Sequence, residues 1–390
     1  MKPAKHILPI IVIAQFCCTS LWFASNGVLS ELIINFKLDS NALGNLTSAV
    51  QFGFILGTLL FALLTITDRF SPSKVFFTSA ILGAVFNTGM LWGGNTLTTL
   101  LVFRFLTGIF LAGIYPVGMK IAADYFDKGL GKSLGFLVGA LVIGTAFPHL
   151  LKGLTEYFSW QSVILTTSGL ALFGGLLMIL LVPNGPFRKQ SQHIDLSAFF
   201  KVFRNSDFRA AAFGYFGHMW ELYVFWAFIP LILTAYQNLH QTTFNIPLLS
   251  FGIIAIGGLA CVLGGFVSQK FGAKKTASTA LLLSGCCCLL SPLFFMISSD
   301  FLFVGFLLFW GMVVIADSPL FSTLVAQNAT PELKGTALTI VNCIGFAITI
   351  ISIQLMTYIQ STYSGNWIYM LLALGPIFGL AALIGPKKVK

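Results

Sequence analysis

The chain has 390 residues, 57% hydrophobic and only 9% charged, with a formal net charge of +10. Soluble domains carry about 25% charged residues, so the composition excludes an ordinary globular enzyme and points to a polytopic membrane protein. The positive charge is no nucleic-acid patch, because the basic residues sit in short loops between apolar runs, where they mark topology.

Lys2 and Lys5 precede an apolar run that continues to about Ile34. That is well past the ~7–15 residues of a signal-peptide core, so the run is expected to be the first span. Runs near the ~20 residues needed to cross a bilayer fall at 8–34, 43–66, 75–93, 97–120, 132–152 and 160–182. The second half repeats the series at 209–235, 247–268, 276–298, 301–325, 336–359 and 367–385. The longest hydrophilic piece, Pro183 to Arg209, is too short to fold alone, since domains below ~40 residues need staples. The expected fold class is an all-α polytopic membrane protein with twelve transmembrane helices in two pseudo-symmetric six-helix bundles. Residues 1–182 would form the first bundle, 183–208 a cytoplasmic linker, and 209–390 the second bundle.

Nineteen of the 22 Lys and Arg residues fall on one side of this arrangement, only Lys37 and Lys152 on the other, and Arg104 lies within a span. The positive-inside rule then predicts a multi-pass protein of the plasma or inner membrane with both termini cytoplasmic. The seven cysteines lie in apolar runs. Adjacent helical positions diverge by about 100°, so Cys286, Cys287 and Cys288 cannot converge on one metal and read as packing residues. Neither HExxH nor GxxxxGK[ST] occurs, and no catalytic residue, metal or cofactor is expected.

A charged turn occurs twice. Asp68-Arg69-Phe70-Ser71-Pro72-Ser73-Lys74 joins the second and third runs, and the segment from Gly265 to Lys275 joins the eighth and ninth. Tyr115-Pro116, Ala123-Asp124 and Gly131-Lys132 in the first half are echoed by Ser318-Pro319, Ala326-Gln327 and Lys334-Gly335 in the second. A duplicated bundle of this kind is characteristic of secondary transporters, which move one half against the other around a midplane site.

On these residues the chain resembles the major facilitator superfamily across essentially its whole length. The family's signature loop reads approximately Gly-x-x-x-Asp-Arg-x-Gly-Arg-Lys. The first copy keeps Asp68, Arg69 and Lys74 but has Leu64 and Ser71 where glycines are usual. The second keeps Gly265, Lys270, Gly272, Lys274 and Lys275, with Gln269 in the acidic place. Arg104-x-x-x-Gly108 is similar to the family's second motif. Gly135, Gly144 and Pro148 resemble its antiporter motif, although the proline comes one residue early and the following glycine pair is missing, so antiport is not inferred. The segments from Gly217 to Tyr223 and from Ala316 to Pro319 look similar to bacterial permeases grouped with cyanate and nitrate carriers, which leans the expected substrate toward a small anion.

An ionisable group in hydrocarbon costs at least ~2.5–3.5 kcal/mol on insertion scales, so each one needs a reason. Arg104 lies roughly 10 Å into span four at 1.5 Å per residue. It is expected either to bind an anionic substrate or a proton-carrying carboxylate, or to lock helices together as an ion pair. Glu221 falls near the middle of span seven with His218 one turn before it. A carboxylate in a water-poor site can exchange a proton near neutral pH, so this pair is the leading candidate for proton coupling. Asp317, beside Ser318 and Pro319, is a third proton-coupling candidate at a helix-breaking proline, with a self-capped hinge as the alternative. Asn26, Trp220 and Asn342 complete the expected substrate-binding set, each weighed against a packing or helix-bridging role. Trp226, His149 and Gln15 are weaker candidates. Asp68 and Arg69 are expected to gate the cytoplasmic side with Lys270, while Lys74, Lys274 and Lys275 serve topology first.

The expected function is proton-coupled secondary transport of a small polar or anionic metabolite by a monomer in the bilayer, through alternating access and as a symport. Drug or metabolite efflux is the alternative within transport. A membrane sensor is disfavoured because no cytoplasmic signalling domain has room.

Overall fold

Apolar runs in a bilayer have no water to satisfy their backbone, so each is driven to bond internally as a helix. The computed structural model describes residues 6–39, 41–126, 130–154, 158–188, 201–330, 333–363 and 365–384. Both termini, residues 189–200 of the linker, Lys2, Lys5, Lys128, Lys189, Lys387, Lys388, Lys390 and the side chain of Lys132 lie outside the described residues.

Every regular element among the described residues is helical. Among the described residues, eleven helices are long and apolar enough to cross a membrane, and Ile7–Thr19 is a shorter apolar one. Span one comprises Ile7–Thr19 and Leu29–Phe36, span two Ala42–Leu63, span three Pro72–Thr88, and span four Leu97–Leu111 with Tyr115–Tyr125. Spans five and six are Leu130–Leu154 and Trp160–Leu181. Spans seven to nine are Ser206–His240, Ile246–Phe271 and Ala273–Met296. Span ten is Asp300–Ala316 with Ser318–Asn328, span eleven Lys334–Thr362, and span twelve runs from the 3-10 segment Asn366–Ala373 into Leu374–Ile384.

Span one differs from the uninterrupted run expected at 8–34. Its α-helix stops at Thr19 and resumes only at Leu29, with turns and the short 3-10 segment Asn26–Val28 between. The interruption holds Ser20, Ser25, Asn26 and Gly27, residues that favour turns and local side-chain bonds over a continued helix. Spans four and ten break where the sequence places Pro116 and Pro319, each proline sitting in the first turn of the second segment.

The two halves share one packing device. A Cβ added to Gly108 would lie 2.1 Å from the Val50 carbonyl oxygen of span two, and one added to Gly311 would lie 2.0 Å from that of Ile253 in span eight. Each glycine stands eight residues before the proline of its break. Only glycine permits these helices to approach so closely, and the equivalence fixes spans two and four in the register that eight and ten repeat.

Spans five and eight pack along much of their length across the halves, with Gly139 and Gly258 facing each other, and spans two and eleven form the other cross-half seam. One end of the molecule carries the basic turn, where Lys120 Nζ lies 3.7 Å from Asp68. There the Arg188 guanidinium donates to the carbonyls of Asp68 and Phe70 at 3.1 and 2.9 Å. At the opposite end Asn245 Nδ2 donates to the Gly153 carbonyl at 3.0 Å and Gln354 Nε2 to Ser48 Oγ at 2.9 Å. Those two bonds tie the halves together at the far end. At the basic end a cleft between spans two, four and eleven remains, lined by Thr58, Thr65, Asp68, Ala112, Lys120 and Thr339. Around the perimeter Leu180, Phe301 and Phe378 are largely exposed, as a lipid-facing surface requires.

Candidate functional site

The break in span one releases backbone carbonyls into the interior, and Arg104 of span four collects them. Its Nη1 donates to the Leu21 carbonyl at 3.0 Å and to Asn87 Oδ1 at 3.4 Å, and its Nη2 donates to the carbonyl of Trp22. Asn87 Nδ2 in turn donates to Ser168 Oγ at 2.9 Å and Thr167 Oγ1 at 3.2 Å, so the network links spans one, three, four and six. Arg104 is wholly buried and its Nε has no partner. The carboxylate considered as its partner is absent: among the described residues no acidic side chain is within ion-pair distance of Arg104. The physical reason is local. A broken helix leaves carbonyls unsatisfied, and a planar guanidinium with five donors suits two of them at once.

Asp317 occupies the break of span ten, and its backbone carbonyl caps the next segment by accepting from Leu320 and Phe321 at 3.0 and 2.9 Å. Its Oδ1 lies 2.8 Å from His218 Nδ1 of span seven. This is an ion-pair contact whose alignment falls outside that of a hydrogen bond, and His218 Nε2 and Asp317 Oδ2 have no partner. Both side chains are 1% exposed. The rings of Tyr215 and Phe321 flank the imidazole at 6.0 and 6.3 Å.

Glu221 does not join this pair, contrary to the expected pairing with His218. Its Oε1 accepts from Trp310 Nε1 at 2.6 Å, from Cys288 Sγ at 3.2 Å and from Ser284 Oγ. The cause is helical geometry. Residues three apart are rotated by about 60° from each other at 3.6 residues per turn, enough here to turn Glu221 toward spans nine and ten while His218 meets the break.

Between the two breaks lies a layer of rings drawn from both halves. Trp22 of span one meets Phe54 of span two at 4.8 Å, Tyr223 of span seven at 6.1 Å and Phe346 of span eleven at 5.8 Å between centroids. Phe23 and Trp226 extend the layer with an edge-on contact at 6.3 Å. All six rings are buried.

The remaining expected residues scatter. Asn26 sits beside the break of span one and donates from Nδ2 to Thr47 Oγ1 at 2.9 Å. Asn342 is partly buried on span eleven without a side-chain hydrogen bond among the described residues. Trp220 turns away from the layer, donating to the Leu371 carbonyl of span twelve at 3.2 Å beside an apolar groove with Phe213 and Phe378. Trp226 and His149 are buried, and Trp226 Nε1 and His149 Nε2 lack partners. Gln15 is buried against Gly118 of span four, and neither of its amide atoms has a partner. Asp68 meets Lys120, Arg69 is exposed, and Lys270 lies with its Nζ 5.4 Å from the Phe271 ring centre.

Sequence reasoning missed four participants. Lys120 and Arg188 read from the sequence only as topology markers. Trp22 was hidden among abundant aromatics. Gln51, a buried amide with neither side-chain atom partnered, is visible in the sequence as a large polar side chain in the middle of span two. The run Gly131-Lys132-Ser133-Leu134-Gly135 has the spacing of a nucleophile elbow, but it lies within the first turns of the helix Leu130–Leu154 and so lacks the strand-to-helix turn that such chemistry needs. No group of three His, Cys, Asp or Glu side chains that could hold a metal occurs among the described residues.

A family model described as the Major Facilitator Superfamily matches residues 11–353. The chain is 25% identical over 296 residues to the sialic acid transporter NanX of Escherichia coli (strain K12), covering 71% of this chain and 68% of that protein. It is 28% identical over 197 residues to the efflux pump FUBT of Fusarium oxysporum, covering 47% of this chain but only 32% of that protein. Among solved structures, the nucleoside transporter NupG shares the fold with a TM-score of 0.73 at 16% identity, over 97% of this chain and 98% of that one.

Proposed function

This chain belongs to the Major Facilitator Superfamily of membrane transporters, which are not enzymes, and from that premise we propose that it is a proton-coupled secondary carrier of a small polar or anionic metabolite. Residues 1–182 and 209–390 rock against each other about the linker 183–208, alternating access to a site between the broken helices. The carrier works as a monomer in the plasma or inner membrane with both termini cytoplasmic, the orientation favoured by the distribution of Lys and Arg.

The observation that carries this reading is the His218–Asp317 contact at 2.8 Å, buried at the break of span ten. Two groups that exchange a proton, held out of water between two helices, are a device that substrate and proton can both act on. Protonation of Asp317 would release His218, and the same movement would let spans seven and ten separate. Glu221, held by three donors, serves as a brace among spans seven, nine and ten, and Arg104 serves the site by fixing the break of span one. Asp68 and Lys120 close or open the cleft at the basic end. The relatives that carry sialic acid and nucleosides are in keeping with a polar solute.

Purified protein in proteoliposomes with an imposed pH gradient tests the reading. Uptake of the transported solute should run uphill and collapse on adding a protonophore; uphill transport that persists after the gradient is gone overturns the coupling. A second reading, efflux of an apolar compound, is favoured by the buried ring layer and by the efflux pump among the relatives. Accumulation in inside-out vesicles would select it.

A further inference from the structure

The ring layer has an arrangement that packing alone does not require. Trp22 presents its face to Tyr223 with 28° between the planes and to Phe346 with 29°. Trp22 comes from span one, whereas Tyr223 and Phe346 come from spans seven and eleven. Nearly parallel rings therefore meet across the very seam that opens when the halves move. Phe54 closes one side of the stack, 4.6 Å from Phe346.

Polar groups stand at the same layer with nothing to bond. The indole N–H groups of Trp22 and Trp226 and both amide atoms of Gln51 have no partner, and all three residues are 0% exposed. Neighbouring contacts place Gln51. One turn before it on span two, Thr47 bonds Asn26 and Ser48 bonds Gln354; one turn after it, Phe54 packs on Trp22 and Phe346. Gln51 thus lies between spans one and eleven at the margin of the stack. Buried donors and acceptors are nearly always satisfied, and an amide carries both kinds at once. A ligand that stacks by its face and bonds at its edge accounts for both halves of this observation.

We propose that the layer is the collapsed form of a ring-stacking slot and that the transported solute carries a planar conjugated ring. Trp22 covers one face of that ring, Tyr223 and Phe346 cover the other, and Gln51 reads a polar group on its edge. The inference rests on the transport reading above and narrows its solute class. Rocking the halves apart widens the gap between Trp22 and its two partners. A flat ring then replaces ring-on-ring contact with contact of the same kind, so the empty and loaded states pack alike. A saturated ring is puckered and has no π face to offer.

The test uses the full-length protein in lipid nanodiscs with three matched pairs of probes: benzoate with cyclohexanecarboxylate, benzamide with cyclohexanecarboxamide, and uracil with dihydrouracil. Binding is read as a rise in melting temperature and as quenching of tryptophan fluorescence. At least one planar probe should bind about tenfold or more tightly than its saturated partner. Trp22→Leu should abolish that preference. Trp22→Phe, which keeps a ring face and guards against misfolding as an explanation, should retain it. Gln51→Leu should weaken the planar probe by about tenfold without lowering the melting temperature of the empty protein. Equal binding of saturated partners, no binding by any planar probe, or an undiminished preference in Trp22→Leu each overturns the proposal. Proton-driven uptake of saturated and planar solutes alike would sink this inference and leave the transport reading standing, whereas planar selectivity without proton dependence would do the reverse.

Discussion

His218 and Glu221 stand one turn apart on span seven yet answer to different neighbours. His218 meets Asp317 at 2.8 Å, while Glu221 accepts from Ser284, Cys288 and Trp310. One carboxylate lies at a helix break and neither of its oxygens accepts a hydrogen bond; the other accepts from three donors on a single oxygen. On the proposed reading, that difference would separate a group free to exchange its proton from one fixed in place.

Asp317→Asn should therefore uncouple the carrier. Uphill uptake in proteoliposomes under a pH gradient should fall by about 5–150-fold, the range of ordinary coupling free energies, while exchange of labelled for unlabelled solute continues. His218→Gln should behave similarly. Glu221→Gln should leave uphill uptake within about twofold of the parent, far inside that range; loss comparable to Asp317→Asn would assign coupling to Glu221 instead.

The cost of disturbing Glu221 should appear in stability. Glu221→Ala strands three buried donors, each worth about 1–3 kcal/mol when left unmade, and removes the acceptor that joins three spans. A clearly lowered melting temperature in detergent is expected, with Glu221→Gln intermediate because one oxygen acceptor survives.

Arg104 holds two carbonyls of span one with a single planar fork. Lysine offers a point charge on a flexible stem and cannot reproduce that geometry. Arg104→Lys should cost about 1.5–3 kcal/mol, measured by thermal unfolding, and should raise the reactivity of a cysteine introduced at Ser20 toward a small maleimide. An unchanged melting temperature would mean that the break of span one holds itself.

Gly108→Val should push spans two and four apart, because even a Cβ at that position falls 2.1 Å from the Val50 carbonyl oxygen. Overpacking of this kind costs typically about 1–3 kcal/mol. Gly311→Val should match it in the second half, where the Ile253 carbonyl oxygen stands at 2.0 Å. Gly265→Ala, with nothing within 4 Å of its added methyl, should be neutral or slightly stabilising by about 0.4–1 kcal/mol.

Hydropathy alone determined that this protein is a bundle of membrane helices, because runs of about 20 apolar residues have few other stable forms in lipid. Pro116 and Pro319 mark the breaks of spans four and ten, where each sits in the first turn of a new segment, whereas Pro148, Pro230 and Pro292 are carried inside continuous helices. The scarcity of charge singled out Arg104, Glu221 and Asp317 for the same energetic reason. Pairing was a different matter. These spans are apolar nearly all round, so their sequence carries little phase information about which face looks inward. Whether Glu221 turns toward His218 or toward Trp310 depends on the rotation of span seven and on the approach of spans nine and ten. The acceptors of Arg104 were hidden for a related reason: they are backbone carbonyls, exposed by a break in span one that contains no proline of its own. The ring layer, built from four spans distant in sequence, likewise came into being only when the two halves were brought face to face.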